Sequence, residues 1–481
     1  MKRLFLALAF LSVPLGTLLA TSTKLAKEEV KIKPINFEEY DLENGLHVIL
    51  HSDKSAPVVS TYLLYHVGSK NEREDRTGFA HFFEHLMFEG TQNIDRGEID
   101  KLVSGAGGNL NASTSFDSTQ YYLNLPANQL KTALWIESER MMHAQVENVG
   151  VETQREVVKE ERRMRYENRP FGTVFLELPA MVFADTPYEW TPIGAAQYID
   201  RATLDEFRGF YKQYYVPNNA TLAVAGDFNV AEAKKWIEEY FGPIPRGEEI
   251  ERPKFAWPPE TLPEVREKTV SMGNTPLPAT IHAWPGPRQT DADSYALDLL
   301  SMILGKGESS RLHRSLIVDQ QAAFSVSPYP VFLEDAGAFG IFVIGNRGEE
   351  IDHLDELVNR EIEKVRKEGV TSRELQKAIN QKTAEIASSL NQMRDRAELL
   401  ADYHVFYGDS SRVNNEIERY RSVTIDQIKA AAVKYLDPER LFVLHYPTPE
   451  ALQPSKQTAE AAAARKPSAP EEAPSGANAV Q

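Results

Sequence analysis

Two histidines and a glutamate lie close together in the stretch HFFEHLMFEG, residues 81–90. His81 and His85 are four residues apart, so in a helix both imidazoles project from one face and can converge on a single metal ion. Glu84 lies on the same side, where its carboxylate can reach a water at that ion. This H-x-x-E-H order is the reverse of the better-known zinc helix. The competing interpretation is a buried helix whose histidines are hydrogen-bonded.

An internal repeat helps to decide between these interpretations. Residues 202–226 and 423–447 match at a constant offset of 221, each with the pattern of a helix, a proline turn and a β-rich run. When the repeat is extended with a gap of six residues, Ala296, Leu299 and Leu300 take the places of the two histidines and the glutamate. Because the second copy makes the same helix from apolar residues, folding does not require the polar trio. Function is the better explanation.

A catalytic zinc ion needs a third protein ligand and an open position for water. The charged helix predicted over residues 151–168 carries several carboxylates. Spacing alone does not choose among them, and a helix rich in charge is usually a solvated surface. The candidates are Glu152, Glu156, Glu160, Glu161 and Glu167.

The bulk composition excludes several classes of protein. The chain has 481 residues, of which 42% are hydrophobic and 26% charged, which is typical of a soluble protein with two domains. Its formal net charge is −17, and removing Lys2 and Arg3 with the N-terminal segment makes it −19, so nucleic acid is not an expected partner. Without cysteine, the chain has no disulfide, thiolate nucleophile or cysteine-ligated metal.

Composition also divides the chain along its length. A basic pair, a short apolar run and small residues at the N-terminus are typical of a cleaved secretory signal, with a membrane anchor as the alternative. We therefore expect a periplasmic or secreted protein. The predicted segments are a signal peptide (1–20), an N-terminal domain that carries the candidate zinc motif (30–245), a linker (246–268), a homologous C-terminal domain without that motif (269–447) and a disordered tail (448–481).

Strands in the first copy come partly in runs and do not strictly alternate with helices. This indicates an α+β fold: two homologous α/β sandwich domains, each a mostly antiparallel sheet packed with helices. Predicted strands span 36–42, 46–51, 58–66, 109–115, 119–125 and 220–226, and predicted helices span 78–89, 95–104, 128–143, 151–168, 203–215 and 229–241.

Three motifs together resemble the pitrilysin/insulinase family of zinc metallopeptidases. They are HFFEH, then GGNLNASTSFDSTQYYLNL, then REVVKEE, with 75 residues between His85 and Glu161. The resemblance covers residues 36–447 and is nearer to the processing-peptidase branch. It implies that His81, His85 and Glu161 bind Zn2+ and that Glu84 is the general base.

The resemblance also implies a substrate and a mode of binding. Asn111 and Ala112 match the edge-strand segment that pairs with an extended substrate, so peptides are the expected partners. The implied function is a zinc-dependent endopeptidase that hydrolyses extended or unfolded peptides in an enclosed chamber, with loose sequence specificity. The alternative is a non-catalytic peptide-binding or scaffold subunit of the same fold.

The chain departs from its relatives at two places. Gln154 stands where they usually carry a second glutamate, which puts a carboxylate role there in doubt. Ile317 and Phe324 align with an Arg and a Tyr that steady the substrate carbonyl, and neither donates a hydrogen bond, although Arg311 and Arg314 are near in sequence. We therefore expect a heterodimer, with a homologous subunit that supplies the Arg/Tyr pair, in preference to a homodimer.

Overall fold

The computed structural model describes residues 33–451. The predicted signal peptide and nearly all of the predicted tail lie outside the described residues. None of the helices in residues 33–451 combines the length and the apolar character that a membrane span requires.

The first sheet has six strands in the order β1-β2-β6-β3-β5-β4. Its neighbouring strands are antiparallel except β2 and β6, which are parallel. β4 forms one edge of the sheet and is therefore open on one side. The strands are β1 (Glu38–Asp41), β2 (His47–Ser52), β3 (Val58–Tyr65), β4 (Asn109–Thr114), β5 (Thr119–Pro126) and β6 (Ala220–Gly226).

Eight α-helices accompany this sheet, and a five-residue π-helical turn, Arg163–Glu167, follows the fourth. We call residues 38–241 the first half of the molecule. The helices are α1 (Phe79–Leu86), α2 (Glu98–Gly105), α3 (Leu130–His143), α4 (Asn148–Arg162), α5 (Val174–Val182), α6 (Ala196–Arg201), α7 (Leu204–Tyr214) and α8 (Val230–Phe241).

The second half, residues 267–446, contains a five-stranded sheet in the order β7-β11-β8-β10-β9. Its strands are β7 (Glu267–Thr269), β8 (Ala279–Pro285), β9 (Ala323–Phe332), β10 (Gly337–Gly345) and β11 (Phe442–Tyr446). Its helices are α9 (Asp293–Gly305), α10 (Ile351–Glu368), α11 (Ser372–Ser389), α12 (Met393–Tyr407), α13 (Glu416–Arg421) and α14 (Ile425–Tyr435).

The internal repeat is visible in the topology. The order β7-β11-β8-β10-β9 reproduces β2-β6-β3-β5-β4 strand for strand, including one parallel pair, β7 with β11, at the same place. Thr203 and Thr424 cap the equivalent helices α7 and α14 in the same way, each within a capping box. The predicted α+β fold of two homologous units is confirmed.

Each half also covers part of the other. Helix α5 of the first half packs on β8 and β11, while α12 of the second half packs on β2, β3 and β6. Phe171, Val182 and Phe183 join Ile281 and Leu444 in a core cluster that both halves build. The two sheets are therefore held together by exchanged helices as well as by their own cores.

Several elements differ from the sequence prediction. Helices α5 and α6 were not predicted; α5 is apolar around most of its circumference and contains Pro179, so it lacks the amphipathic period that indicates a helix. The predicted helix 151–168 is an α-helix only to Arg162, after which the π-helical turn begins. Residues 246–266 contain no helix or strand, and the exact bounds of the two domains stay a prediction.

Candidate metal centre and active site

Helix α1 begins at a sharply turned, buried site. Gly78, with φ of 97°, is its N-cap, and the carboxylate of Glu72 accepts the backbone N–H groups of Gly78 and Ala80 at 2.7 Å each. These are helix N-terminal donors that would otherwise be unsatisfied. Glu72 therefore fixes the start of the helix that carries the two histidines.

The apolar face of α1 fixes its rotation. The rings of Phe79 and Phe82 stack on Phe207 of α7, with centroids 4.7 and 4.5 Å apart. This packing turns His81 and His85 toward α4 and β4. The packing of Phe79 and Phe82 thus fixes the direction in which the polar side of α1 faces.

The structure brings His81, His85 and Glu161 together. The Nε2 atoms of the two histidines lie 3.6 and 3.3 Å from Oε2 of Glu161, and the three possible ligand atoms lie within 4.8 Å of one another. Glu161 lies on the side of α4 that also carries the buried Val158, three residues earlier, and this side packs against α1.

Only Glu161 of the five candidate glutamates reaches this cluster. The other four form ion pairs elsewhere along the same helical segment. Glu152 pairs with Arg155, Glu156 with Lys159, Glu160 with Arg163, and Glu167 with Arg162. Spacing left five glutamates as candidates for the third ligand, and Glu161 is the one on the side of α4 that faces α1.

The protonation of His81 and Glu161 suits a divalent cation. Burial, reinforced by the neighbouring His85, lowers the pKa of His81 to about 4, so its imidazole is neutral and offers a lone pair. Burial opposes ionisation of Glu161, but its contacts with His85 and His81 lower the pKa of this carboxyl overall. Burial opposes protonation of His85, but its contact with Glu161 raises the pKa of this imidazole overall, so a cation there must displace a proton. Two imidazole nitrogens and one carboxylate are a donor set that zinc binds in catalytic sites, so the residues fit the ion.

His85 is oriented by a chain of hydrogen bonds that includes Gln154. The Nδ1–H of His85 donates to Oε1 of Gln154 at 3.0 Å, and Nε2 of Gln154 donates to Oε1 of Glu89 at 2.5 Å. Glu89 is in turn bonded by the guanidinium of Arg96. Gln154 therefore uses its carbonyl where a carboxylate was expected, and it leaves the Nε2 lone pair of His85 free.

Arg165 holds Glu161 from the other side. Its Nη1 lies 2.7 Å from Oε1 of Glu161, which leaves Oε2 for the histidine side. Sequence reasoning missed Arg165; its position four residues after Glu161 was the available signal. Glu72, Glu89 and Thr114 were also missed, because tertiary contacts alone bring them here.

Glu84 faces the same cavity. Its Oε2 accepts a hydrogen bond of 2.7 Å from the hydroxyl of Thr114 on β4. Burial raises the pKa of Glu84 above its ordinary value, although the bond from Thr114 acts in the opposite direction. A carboxylate with a raised pKa accepts a proton more readily near neutral pH, which is a property of a general base.

The cavity around these residues has a volume of about 470 Å³. Asn111 and Ala112 of β4 form one wall, together with Ser113 and Thr114. Every residue that lines the cavity belongs to the first half. A neighbouring apolar cavity of about 590 Å³ shares Arg165, Tyr166 and Pro192 with it and is completed by residues of the second half, among them Tyr329 and Val331.

The positions aligned with the Arg/Tyr pair lie outside this cavity. Ile317 packs against the core of the second half, and Phe324 on β9 is 67% exposed. The two nearby arginines are engaged elsewhere, Arg311 with Glu374 and Arg314 with Asp319.

Comparison with known proteins identifies the family. Residues 47–194 match the family described as Insulinase (Peptidase family M16), and residues 201–382 match Peptidase M16 inactive domain. The zinc protease PqqE of Helicobacter pylori is 32% identical over 406 residues, which cover 84% of this chain and 89% of PqqE. The chain belongs to the insulinase family of peptidases, M16.

Solved structures share the fold. A protease from Helicobacter pylori superposes with a TM-score of 0.81 at 29% identity, covering 87% of this chain and 100% of that one. The periplasmic protease PqqL from Escherichia coli superposes with a TM-score of 0.70 at 20% identity, covering 93% of this chain but 52% of that one. The second similarity concerns the fold alone.

Proposed function

We propose that this chain is a zinc-dependent endopeptidase that hydrolyses extended or unfolded peptides. The observation that carries the proposal is the convergence of His81, His85 and Glu161 within 4.8 Å, beside Glu84 and an open edge strand in one cavity. The name of PqqE, a zinc protease of which this chain covers 89%, supports it.

Each group has a defined task in peptide hydrolysis. Zinc held by His81, His85 and Glu161 would supply Lewis-acid activation of water and of the scissile carbonyl. Glu84 takes a proton from the attacking water and passes it to the leaving amine, while Thr114 holds one of its oxygens in place. Main-chain groups of β4 bind the peptide as an added strand, which is why varied side chains are accepted.

Two variants test this assignment. Glu84→Gln is expected to retain zinc and lose hydrolysis of an unfolded protein substrate by roughly 10²- to 10⁴-fold, because a general base is removed. Glu161→Gln is expected to lose zinc as well. The matched control is Glu160→Gln, which removes an adjacent glutamate paired with Arg163 and should change neither zinc content nor rate. Full activity of Glu84→Gln would contradict the proposal.

We further propose that the chain works as the zinc-bearing subunit of a heterodimer that encloses the peptide in a chamber. The cavity is lined by the first half alone, and Ile317 and Phe324 cannot donate the hydrogen bonds of an Arg/Tyr pair. The match with PqqL covers 93% of this chain but 52% of the PqqL chain, so PqqL has room for two units of this size. This supports the pairing of two such chains.

The pairing is tested by comparing the chain purified alone with the chain purified with its native partner. The lone chain is expected to bind zinc but to hydrolyse peptides about a hundred- to a thousandfold more slowly, which is the usual cost of a missing oxyanion donor. Light scattering gives the mass of each species. Fast hydrolysis by a species with the mass of a single chain would contradict the heterodimer. Zinc binding without hydrolysis by either species would favour the non-catalytic alternative.

The place of action is proposed to be the periplasm or the cell exterior, after removal of residues 1–20. The basic pair and short apolar run at the N-terminus support this. Mass spectrometry of the mature protein from the periplasmic fraction is expected to show a chain that begins near residue 21. Recovery of the intact chain in the membrane fraction would favour an anchor instead.

A further inference from the structure

A second histidine cluster lies where the two halves meet. Glu39 on β1 and His47 on β2 share one face of the first sheet, and His404 of α12 packs on that face. One possible ligand atom from each of the three lies within 4.8 Å of the others. None of these residues lines the cavity of the proposed active site.

The surroundings of His47 prepare one nitrogen for a cation. Its Nδ1 lies 2.7 Å from Oδ1 of Asp41, the residue directly opposite on β1, so this nitrogen carries the proton. Its Nε2 is buried without a hydrogen-bond partner and lies 3.5 Å from Oε2 of Glu39. A lone pair then faces a carboxylate whose Oε2 also accepts a hydrogen bond of 2.7 Å from the hydroxyl of Ser410, and a cation between the two acceptors would satisfy both. A histidine that donates its other N–H to a carboxylate is the usual arrangement of a metal ligand.

His404 supplies the third group. Its ring lies parallel to that of His47, with centroids 3.4 Å apart and an interplanar angle of 5°. Among the described residues, its imidazole has no hydrogen-bond partner. Because the lone pairs of stacked rings run parallel, shared coordination requires the His404 ring to rotate toward Nε2 of His47, where two nitrogens of one tetrahedral zinc ion lie roughly 3.4 Å apart.

The cluster repeats the arrangement of the proposed active site. There, Nδ1 of His85 is held by Gln154, and its Nε2 lies 3.3 Å from Glu161 beside a second histidine. In the second cluster, Asp41 holds Nδ1 of His47 as Gln154 holds Nδ1 of His85. Glu39 faces Nε2 of His47 as Glu161 faces Nε2 of His85. The differences are that the two rings are stacked at 5° here and inclined at 77° there, that Glu39 is 42% exposed, and that the cluster joins a strand pair of one half to a helix of the other.

We propose that Glu39, His47 and His404 bind a second zinc ion, which ties α12 to the β1–β2 pair. Two imidazoles and a carboxylate are ligands that zinc prefers, and water completes the coordination on the exposed side. Because the site joins the halves, zinc bound there stabilises their contact.

The test uses a background in which the proposed active-site ligands are removed, His81→Ala with His85→Ala. The protein is stripped of metal by chelation and dialysis, and zinc is then added back. This background is expected to bind about one zinc ion per chain, and the wild type about two. Adding His404→Gln is expected to abolish the remaining zinc and the rise in Tm that zinc produces. Cobalt gives a second readout, since the visible bands of a tetrahedral site should vanish with the same substitution.

Two controls separate coordination from other effects. His353→Gln removes a partly exposed histidine that is also bonded to a carboxylate, Glu349, and should change nothing. Asp41→Asn, at a side chain that is 72% exposed, should weaken zinc binding by roughly 10- to 100-fold without unfolding the chain. If His404→Gln fails to fold, Asp41→Asn and Glu39→Gln still decide the matter. A background that binds no zinc, with His47 held by a second proton instead, would overturn the proposal.

Discussion

At the scale of single residues, Gln154 stands where the resemblance led us to expect a carboxylate. It accepts from His85 and donates to Glu89, so it links a proposed metal ligand to a buried carboxylate. Gln154→Glu would set two carboxylates against each other at this contact. We expect the free energy of unfolding to fall by about 1–3 kcal/mol, measured by urea denaturation.

The exchange of both residues provides the matched test. In Gln154→Glu with Glu89→Gln, the amide donates in the opposite direction and can still accept from Arg96, so most of the lost stability should return. Gln213→Glu, at an exposed position of α7, should change stability by no more than about 0.5 kcal/mol. If the single and the exchanged variants lose the same unfolding free energy, the hydrogen bonds of Gln154 to His85 and Glu89 do not contribute to stability as proposed.

Residue types predicted the two histidines and the glutamate of helix α1, but the site around them could not be predicted in full. His81, Glu84 and His85 stand within five positions, so helical geometry alone brings them to one face. Glu161 was selected by family resemblance, since spacing left five glutamates open. Glu72 and Thr114 reach the site from a loop and an edge strand, and no local pattern indicates a contact that depends on tertiary packing.

At the scale of elements, β4 offers an open edge, because it pairs in the sheet with β5 on one side alone. Ser115 bonds to Ser118 across the β4–β5 turn, and alternation along an antiparallel pair then turns the amide of Ala112 away from β5. That amide donates to the side chain of its neighbour Asn111, at 2.9 Å. The equivalent edge in the second half, β9, contains Pro328 and Pro330, which cannot donate to an added strand.

Ala112→Pro tests the use of this edge. The substitution removes an outward N–H but no bond of the sheet, so the fold should persist while kcat/KM for unfolded substrates falls about tenfold or more. Ala112→Val retains the amide and should keep most of the activity, apart from any steric effect of the larger side chain. Circular dichroism and Tm establish that both variants are folded. Unchanged hydrolysis by Ala112→Pro would mean that substrates do not pair with β4.

Strands and amphipathic helices of the first half were predicted well because each has a clear period of its own. β4, for example, was predicted at 109–115 and spans Asn109–Thr114. Helix α5 shows the limit of this method. Its apolar residues cover the sheet of the other half, so they are explained by a long-range contact. They do not form the amphipathic pattern from which a helix can be predicted locally.

At the scale of the whole molecule, the equivalent turns of the two halves meet around one buried lysine. Lys70, 1% exposed, lies 2.8 Å from Asp117 in the β4–β5 turn and 2.5 and 3.0 Å from Glu334 and Asp335 in the β9–β10 turn. The repeat in the sequence predicted two copies of one unit. It could not predict this contact, because charged residues in turns carry no periodic signal.

Glu334→Gln tests how far this contact holds the halves together. Burial opposes ionisation of Glu334, but His66 and Lys70 outweigh it and lower its pKa to about 2. A carboxyl whose folded pKa lies below its ordinary value stabilises the protein above about pH 4.5, and this contribution is lost as the pH falls toward 2. At pH 7 the variant should lose about 1–3 kcal/mol of unfolding free energy, and at pH 3 clearly less, because the wild type has by then lost part of the same contribution. Glu308→Gln, at an exposed position, should match the wild type at both pH values. Because the group bridges the two sheets, the loss should appear in a single unfolding transition; separate transitions of the halves would show that Glu334 stabilises its own half and not their contact.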